Sequence, residues 1–439
     1  MALSADVAHL EAAAPAYARA MNQFRQRNFA LLVLDGATFS FAIALLSEAT
    51  FIPAFIQALT SSAMLVGLVA AVFAVGRYAP QLIGAHLILG RPRRKPLFLG
   101  IVVAERVGIL AIALSAQLVG SAPKPLVVVL FFLAFGGYAV TTGLIGPVYG
   151  DFVAKAITRS RGWFYGVTQL LGGSLGFAAA IVGRRMLEAY GFPVGYQMAF
   201  WICFGLSLLS IAFVASLKET EYPLAQQRPP FSKTVRQLTH VVLDDGAYRR
   251  FLTARALLAF ATLGVGFVVV DGLRRGVLSQ PDAAIAAAAF ILAQAILGFI
   301  LGLVGNYLGW RIVVVLGGVL IIGAMALAAS QPGRWSYFVM MGALGGANAV
   351  TVVGDANMSI ELAPPTLTSL YLGTTATLLA PFFILGPLLA GAISPASGIQ
   401  PIFVAGGVLA VLGTAVAFTI PEPRRHVEAP PSGQPGLMP

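Results

Sequence analysis

The feature that most constrains this chain is a series of apolar stretches, each about 20 residues long, that recurs along nearly its whole length. Twelve can be marked, at roughly 30–52, 63–89, 97–119, 125–150, 163–183, 195–216, 251–271, 283–306, 310–330, 336–360, 369–394 and 400–420. A helix of that length crosses the hydrocarbon core of a bilayer and satisfies its own backbone polar groups. Charged or turn-forming residues divide most of the runs: RPRRK at 91–95, SAPK at 121–124, ITRSR at 157–161, SQP at 279–281, QPGR at 331–334 and APP at 363–365. Composition closes off a water-soluble fold. Of 439 residues, 58% are hydrophobic and 10% charged, where a soluble domain carries about 25% charged residues. Lipid must cover much of the surface. The expected fold is all-α and integral to the membrane, with twelve transmembrane helices in two pseudo-symmetric six-helix bundles.

A net charge of +11 could point to nucleic acid, but the basic residues sit in short clusters between apolar runs and form no single face or tail. No nucleic-acid partner is expected. Most lysines and arginines fall in the N-terminal tail, loop 2–3, loop 4–5 and the central loop, which places both termini in the cytoplasm of a multi-pass protein of the inner (plasma) membrane. Residues 1–28 lack the layout of a signal peptide and read as a short cytoplasmic helix at the membrane surface. The Pro/Gly-rich tail, 421–439, reads as disordered and cytoplasmic. Cys203 is the sole cysteine, so no internal disulfide can form.

The longest polar stretch, 218–250, separates a six-helix bundle at 29–217 from another at 251–420 and reads as a cytoplasmic central loop. Two matches suggest that the halves are repeats. Gly84-Ala85-His86-Leu87 closes span 2 as Gly305-Asn306-Tyr307-Leu308 closes span 8. Gly136-Gly137-Tyr138-Ala139-Val140-Thr141 in span 4 parallels Gly345-Gly346-Ala347-Asn348-Ala349-Val350-Thr351 in span 10.

Six plus six helices, a polar central loop and both ends on one side resemble the major facilitator superfamily. That family carries a Gly-x-Leu-x-Asp-Arg-x-Gly-Arg-Arg signature in loop 2–3. Here the loop keeps Gly84, Arg91, Arg93, Arg94 and Lys95 but has Ile88 or Gly90 where the acid belongs. The stretch Asp151-Phe152-Val153-Ala154-Lys155-Ala156 is similar to the family's exit from span 4. The Gly-Pro-x-x-Gly-Gly signature of its drug–proton antiporters is absent from span 5, which has only Gly172-Gly173; Gly386-Pro387-Leu388-Leu389-Ala390-Gly391 lies in span 11 instead. In the family, spans 1, 4, 7 and 10 line a central cavity. The resemblance therefore implies that Asp35, Asp355 and Arg255, each near the cytoplasmic end of such a span, form one cluster acting as proton site, substrate anchor or inner gate.

Other intramembrane charges need partners, because an ionisable group in hydrocarbon is costly. Glu105 and Arg106 are adjacent in span 3 and are expected to point apart. Arg77 is then the expected partner of Glu105, and Asp35 or a carbonyl that of Arg106. Asn348, Gln169, Gln294, Tyr138 and Thr374 are candidate solute contacts, and Pro381 and Pro387 are candidate hinges in span 11. Glu48 and Asp271, at the outer ends of spans 1 and 7, are candidate outer-gate residues beside Arg184, Arg185, Arg274 and Arg275.

No HExxH zinc pattern and no GxxxxGK[ST] nucleotide loop occurs, so no metal, cofactor or enzymatic activity is expected. The resemblance implies a secondary active transporter that moves a small, amphipathic solute by alternating access. Membrane lipid and the solute are the expected partners, protons are the candidate coupling ion, and a monomer is expected. The alternative is a non-transporting membrane assembly factor or a lipid or pigment chaperone on the same scaffold.

Overall fold

The computed structural model describes residues 14–48, 50–157, 161–223, 229–330, 333–364 and 366–422. Twelve helices in it are long and apolar enough to cross a membrane: Pro15–Ala44, Met64–Ile88, Lys95–Gln117, Lys124–Ala156, Arg161–Tyr190, Val194–Ala215, Gly246–Arg274, Ile285–Leu308, Trp310–Ala329, Arg334–Leu362, Thr368–Gly386 and Gln400–Phe418. They are spans 1 to 12. Large apolar side chains such as Leu133, Val107 and Val339 are exposed on their outer faces, a surface that only hydrocarbon can cover at low cost. Since successive spans alternate in direction, one side carries the central loop. We call it the near side, and the opposite one the far side.

Three departures from the sequence reading matter for the site. Span 1 starts at Pro15, a residue suited to a helix N-terminus because it needs no backbone donor there. Residues 15–28 thus extend the first spanning helix and do not form a separate surface helix; residues 1–13 and 423–439 lie outside the described residues. The central loop contains a helix of its own, Phe231–Asp244, which buries Thr234 and Val241. Span 11 runs as helix from Thr368 to Ser397, through Pro381 and Pro387, so the prolines do not end it. The irregular spans are others. Span 2 is divided at Ala79-Pro80, span 7 contains a 3₁₀ turn at Thr262–Gly264, and span 10 contains a π-helical turn at Val350–Gly354.

Packing differs between the two sides. One core is continuous across both halves on the near side, where it joins Phe98, Phe152 and Phe164 to Tyr248, Phe251 and Tyr371, and it runs on through the second half to Leu278 and Tyr337. On the far side the first half keeps a core to itself, built around Phe55, Phe131, Phe135, Tyr196 and Phe200. Close backbone approach holds the near side together. A β-carbon on Gly162 of span 5 would stand 2.1 Å from the carbonyl oxygen of Gly302 in span 8. One on Gly373 of span 11 would stand 2.6 Å from the β-carbon of Ala85 in span 2.

Candidate functional site

Spans 1, 3, 4 and 6 bury a chain of polar groups inside the first half. Glu105 and Arg106 form an ion pair with each other. This corrects the expectation that adjacent residues cannot meet: their Cβ directions diverge, but the long arginine stem folds back and spares both charges from burial alone. Thr142 of span 4 donates to Glu105 at 2.9 Å. The guanidinium lies 4.2 Å from the Phe39 ring centre, donates to Ser210 Oγ at 2.8 Å and reaches the Ser207 carbonyl at 3.4 Å. Ser210 in turn donates to Asp35. Arg106 therefore meets both partners foreseen for it, a carbonyl directly and Asp35 through a hydroxyl. Arg77 does not pair with Glu105. It is exposed on span 2, with its guanidinium 5.8 Å from the Phe73 ring centre.

The second half holds a separate pair. Arg255 of span 7 pairs with Asp355 of span 10: Nη2 donates to Oδ2 at 2.8 Å, and Nε stands in ion-pair contact with Oδ1. The same Nη2 donates to Thr351 at 2.9 Å, and Thr351 belongs to the π-helical turn that directly precedes Asp355. Such a turn often marks a functional position in a helix. The expected three-residue cluster is thus split. Among the described residues no hydrogen bond or ion pair joins Asp35 to Asp355 or Arg255. The reason lies in the start of span 1: Asp35 sits level with Arg106, at the midpoint of Lys95–Gln117, and is taken up by its own half.

The uncharged candidates separate into two kinds. Tyr138 is core: its ring stacks near Phe73 and Phe135, with centroids 6.3 and 6.2 Å away. Thr374 is fully buried beside Gly373, and its hydroxyl has no partner among the described residues. Gln169, Gln294 and Asn348 are partly exposed, and no hydrogen bond within the described residues engages their amides. Gln169 packs on Gly298 of span 8, and the other two lie close to it along their helices. A β-carbon there would meet Gln169 Cβ at 3.2 Å and Ala349 Cβ at 3.4 Å; Asn348 precedes Ala349, and Gln294 lies one turn from Gly298 on the same helix face.

At the near side the loop 2–3 residues are all engaged. Arg94 pairs with Asp151 at 2.5 Å, and Lys155 completes the buried triad. Arg91 donates to the Leu87 carbonyl, Lys95 to that of Leu217, and Gly84 lies against the Leu144 carbonyl. Arg93 pairs with Glu221 at 3.0 Å in solvent. The central loop supplies the acid that the loop lacks. Glu219 accepts from the backbone N–H groups of Arg94 and Lys95, at 2.7 and 2.9 Å, where span 3 begins. Burial pushes its carboxyl above the usual range, against the lowering effect of those two donors. The loop's helix also reaches span 2, where His86 Nδ1 and Thr234 Oγ1 are 2.7 Å apart. The sequence carried no spacing signal for either contact.

At the far side Asp271 is bound within its own half, by Tyr337 at 2.6 Å and Arg275 at 3.5 Å. Glu48 belongs to the other half, and among the described residues neither acid forms an ion pair with a basic residue of the opposite half. The stretch Gly172-Gly173-Ser174-Leu175-Gly176 has the Gly-x-Ser-x-Gly spacing of a nucleophile elbow. It lies inside the continuous helix Arg161–Tyr190 and lacks the strand-to-helix turn such an elbow requires.

Residues 276–437 match the family model of the Major Facilitator Superfamily. No curated protein matches the chain. Among solved structures, the chain is similar to the Major Facilitator Superfamily transporter FucP in the outward conformation, at TM-score 0.68 and 16% identity over 92% of this chain and 100% of that one. It is also similar to the human organic anion transporter MFSD10 (TETRAN), at 0.66 and 15% over 90% and 99%. The proton:xylose symporter XylE bound to 6-bromo-6-deoxy-D-glucose matches at 0.66 and 14%, over 91% and 97%. Over residues 276–437 the sequence is that of the major facilitator superfamily, and along its length the chain has the fold of that superfamily's transporters.

Proposed function

We propose that the chain is a secondary active transporter that moves a small amphipathic solute across the inner membrane by alternating access, with its near side in the cytoplasm. One observation carries this reading: the halves share a core on the near side, whereas on the far side the first half's core is separate from the one that continues through the second half. That is the packing of two bodies that can rock about the seam between them, as transporter repeats do around a midplane site. The family's similar structures include a proton:xylose symporter, and protons are the coupling ion proposed here. Asp35 and Asp355 are its candidate carriers, since each is a buried carboxylate held by a partner that motion of a helix can withdraw. Arg255, Thr351 and the π-helical turn make span 10 the candidate moving part of the second half. Gln169, Gln294 and Asn348 are the proposed solute contacts.

Flux of a solute panel in proteoliposomes, with and without a pH gradient, tests the reading. The wild type is expected to concentrate at least one solute in response to the gradient. Asp355→Asn or Asp35→Asn is expected to abolish that response while leaving counterflow exchange of the same solute. Equal flux through protein-containing and empty vesicles, for every solute and gradient, would favour a non-transporting scaffold role.

A further inference from the structure

The outer surface of the first half carries a groove on the near side, between spans 3 and 4. It encloses about 350 Å³, and its walls include Arg91, Leu97, Gly100, Ile101, Thr141 and Leu144. Two facts place it on the lipid surface and not in the cleft between the halves. Span 3 packs on spans 4 and 6 of its own half. Span 4 turns Gly150 toward the second half, where a β-carbon would stand 2.7 Å from Leu372 of span 11. Thr141 precedes Gly150 by about two and a half helical turns, so the two lie on opposite faces of span 4.

The groove holds one charge, at its near-side end. Arg91 Nε donates to the Leu87 carbonyl at 2.8 Å, and among the described residues its guanidinium has no acidic partner. The basic residues beside it are neutralised, Arg93 by Glu221 and Arg94 by Asp151, and no acid lines the groove. From Arg91 inward the surface is apolar. Thr141 turns its hydroxyl back on the Gly137 and Tyr138 carbonyls, at 3.0 and 2.8 Å, and adds no free polar group. Gly100 leaves the floor open, since a β-carbon there would meet nothing within 4 Å. From Pro96 to Ala104 the furrow runs about 12 Å along span 3, at 1.5 Å per residue. An uncompensated guanidinium at the membrane surface, above an apolar furrow of that length, matches a phospholipid with a net negative head. A zwitterionic head would bring an ammonium group to a site with no acid to receive it.

We propose that this groove is a binding site for an anionic phospholipid of the near-side leaflet. Its phosphate lies on the Arg91 guanidinium, and one acyl chain lies between spans 3 and 4. The site is outside the proposed solute path and holds whether or not the chain transports.

The test places the full-length protein in phosphatidylcholine nanodiscs that contain one photoactivatable lipid. The probe is phosphatidylglycerol or phosphatidylethanolamine with a diazirine in one acyl chain, and labelled peptides are read by mass spectrometry. Phosphatidylglycerol is expected to label Leu97–Ala104 and Thr141–Leu144 about fivefold more than phosphatidylethanolamine, the preference of one interfacial arginine for an anionic head. Unlabelled phosphatidylglycerol is expected to suppress that labelling, and glycerol phosphate in solution to leave it unchanged. Arg91→Gln is expected to bring the two probes level, and Arg91→Lys to keep most of the preference. Gly100→Leu fills the floor without a clash and is expected to cut labelling by both probes about tenfold, the effect of displacing roughly two methylene groups. An unfolding midpoint for Gly100→Leu equal to wild type in pure phosphatidylcholine controls for folding, and this variant carries the test if Arg91→Gln does not fold. Equal labelling of the wild type by both probes would mean an ordinary boundary lipid and would overturn the proposal. So would a preference that survives Arg91→Gln, or suppression by glycerol phosphate, which would make the ligand a soluble anion.

Discussion

Arg255 and Asp355 show what a buried charge costs and how the fold meets that cost. Both are nearly sealed from solvent, and each is tolerable only because the other is there. Replacing one partner is expected to destabilise the protein by about 3–5 kcal/mol, because the survivor is left buried and unpaired. Arg255→Met alone should therefore lower the unfolding midpoint in detergent sharply, and the pair Arg255→Met with Asp355→Leu should recover most of the loss. A double variant no more stable than the singles would show that the two charges are not coupled. This pair was legible in sequence, since two opposite charges stood in spans that the family resemblance placed together. Asp35 was not. Its partner Ser210 is one of many serines in apolar helices, and nothing in the spacing of span 6 marks it. The Glu105–Arg106 contact was misread for a related reason: Cβ direction decides where a side chain starts, and a buried charge decides where it ends.

Helix ends and interruptions are set by contacts distant in sequence, so they were the least legible elements. The start of span 3 is fixed by Glu219, more than a hundred residues downstream, and the π-helical turn of span 10 by packing that no periodicity records. The helix that becomes span 8 is the exception. Ser279 and Asp282 form a capping box, a pattern visible in the sequence, and Arg334 adds a hydrogen bond of 2.6 Å across the far-side loop. The Arg334 bond, and then those from Ser279, hold the Asp282 carboxyl down to about 2 from its ordinary 3.8. A depressed carboxylate contributes stability that is present above its unfolded value and lost as pH falls through the folded one. Wild-type stability is thus expected to fall between about pH 4 and pH 2 by an amount that Asp282→Asn removes. Unfolding midpoints of the two proteins across that window check it. Parallel curves would show that Asp282 does not couple to folding.

For the whole molecule, the count of spans and the division into halves were readable because hydrocarbon leaves the chain few choices: about 20 apolar residues per crossing, and helices throughout. Which side is closed was not readable. It depends on where small residues from different halves meet, and glycines are too frequent here, at 48, for sequence alone to show which of them touch. Gly162→Leu places a branched side chain where the Gly302 carbonyl lies, and is expected to weaken near-side closure and raise labelling of a cysteine introduced beside it, Asn306→Cys in a Cys203→Ala background, by a membrane-impermeant reagent. Unchanged labelling would mean that the glycine contact does not hold the halves together. Alternating access makes the most direct demand: far-side and near-side separations must change in opposite directions. Pulsed electron–electron distance measurements can follow both in a Cys203→Ala background, with spin labels at Arg184→Cys and Arg274→Cys on the far side and at Arg93→Cys and Leu308→Cys on the near side. Two populations are expected in each pair, the long far-side distance accompanying the short near-side one, with a pH gradient or solute shifting their balance. A single distance in each pair, unmoved by either, would contradict a rocking transporter.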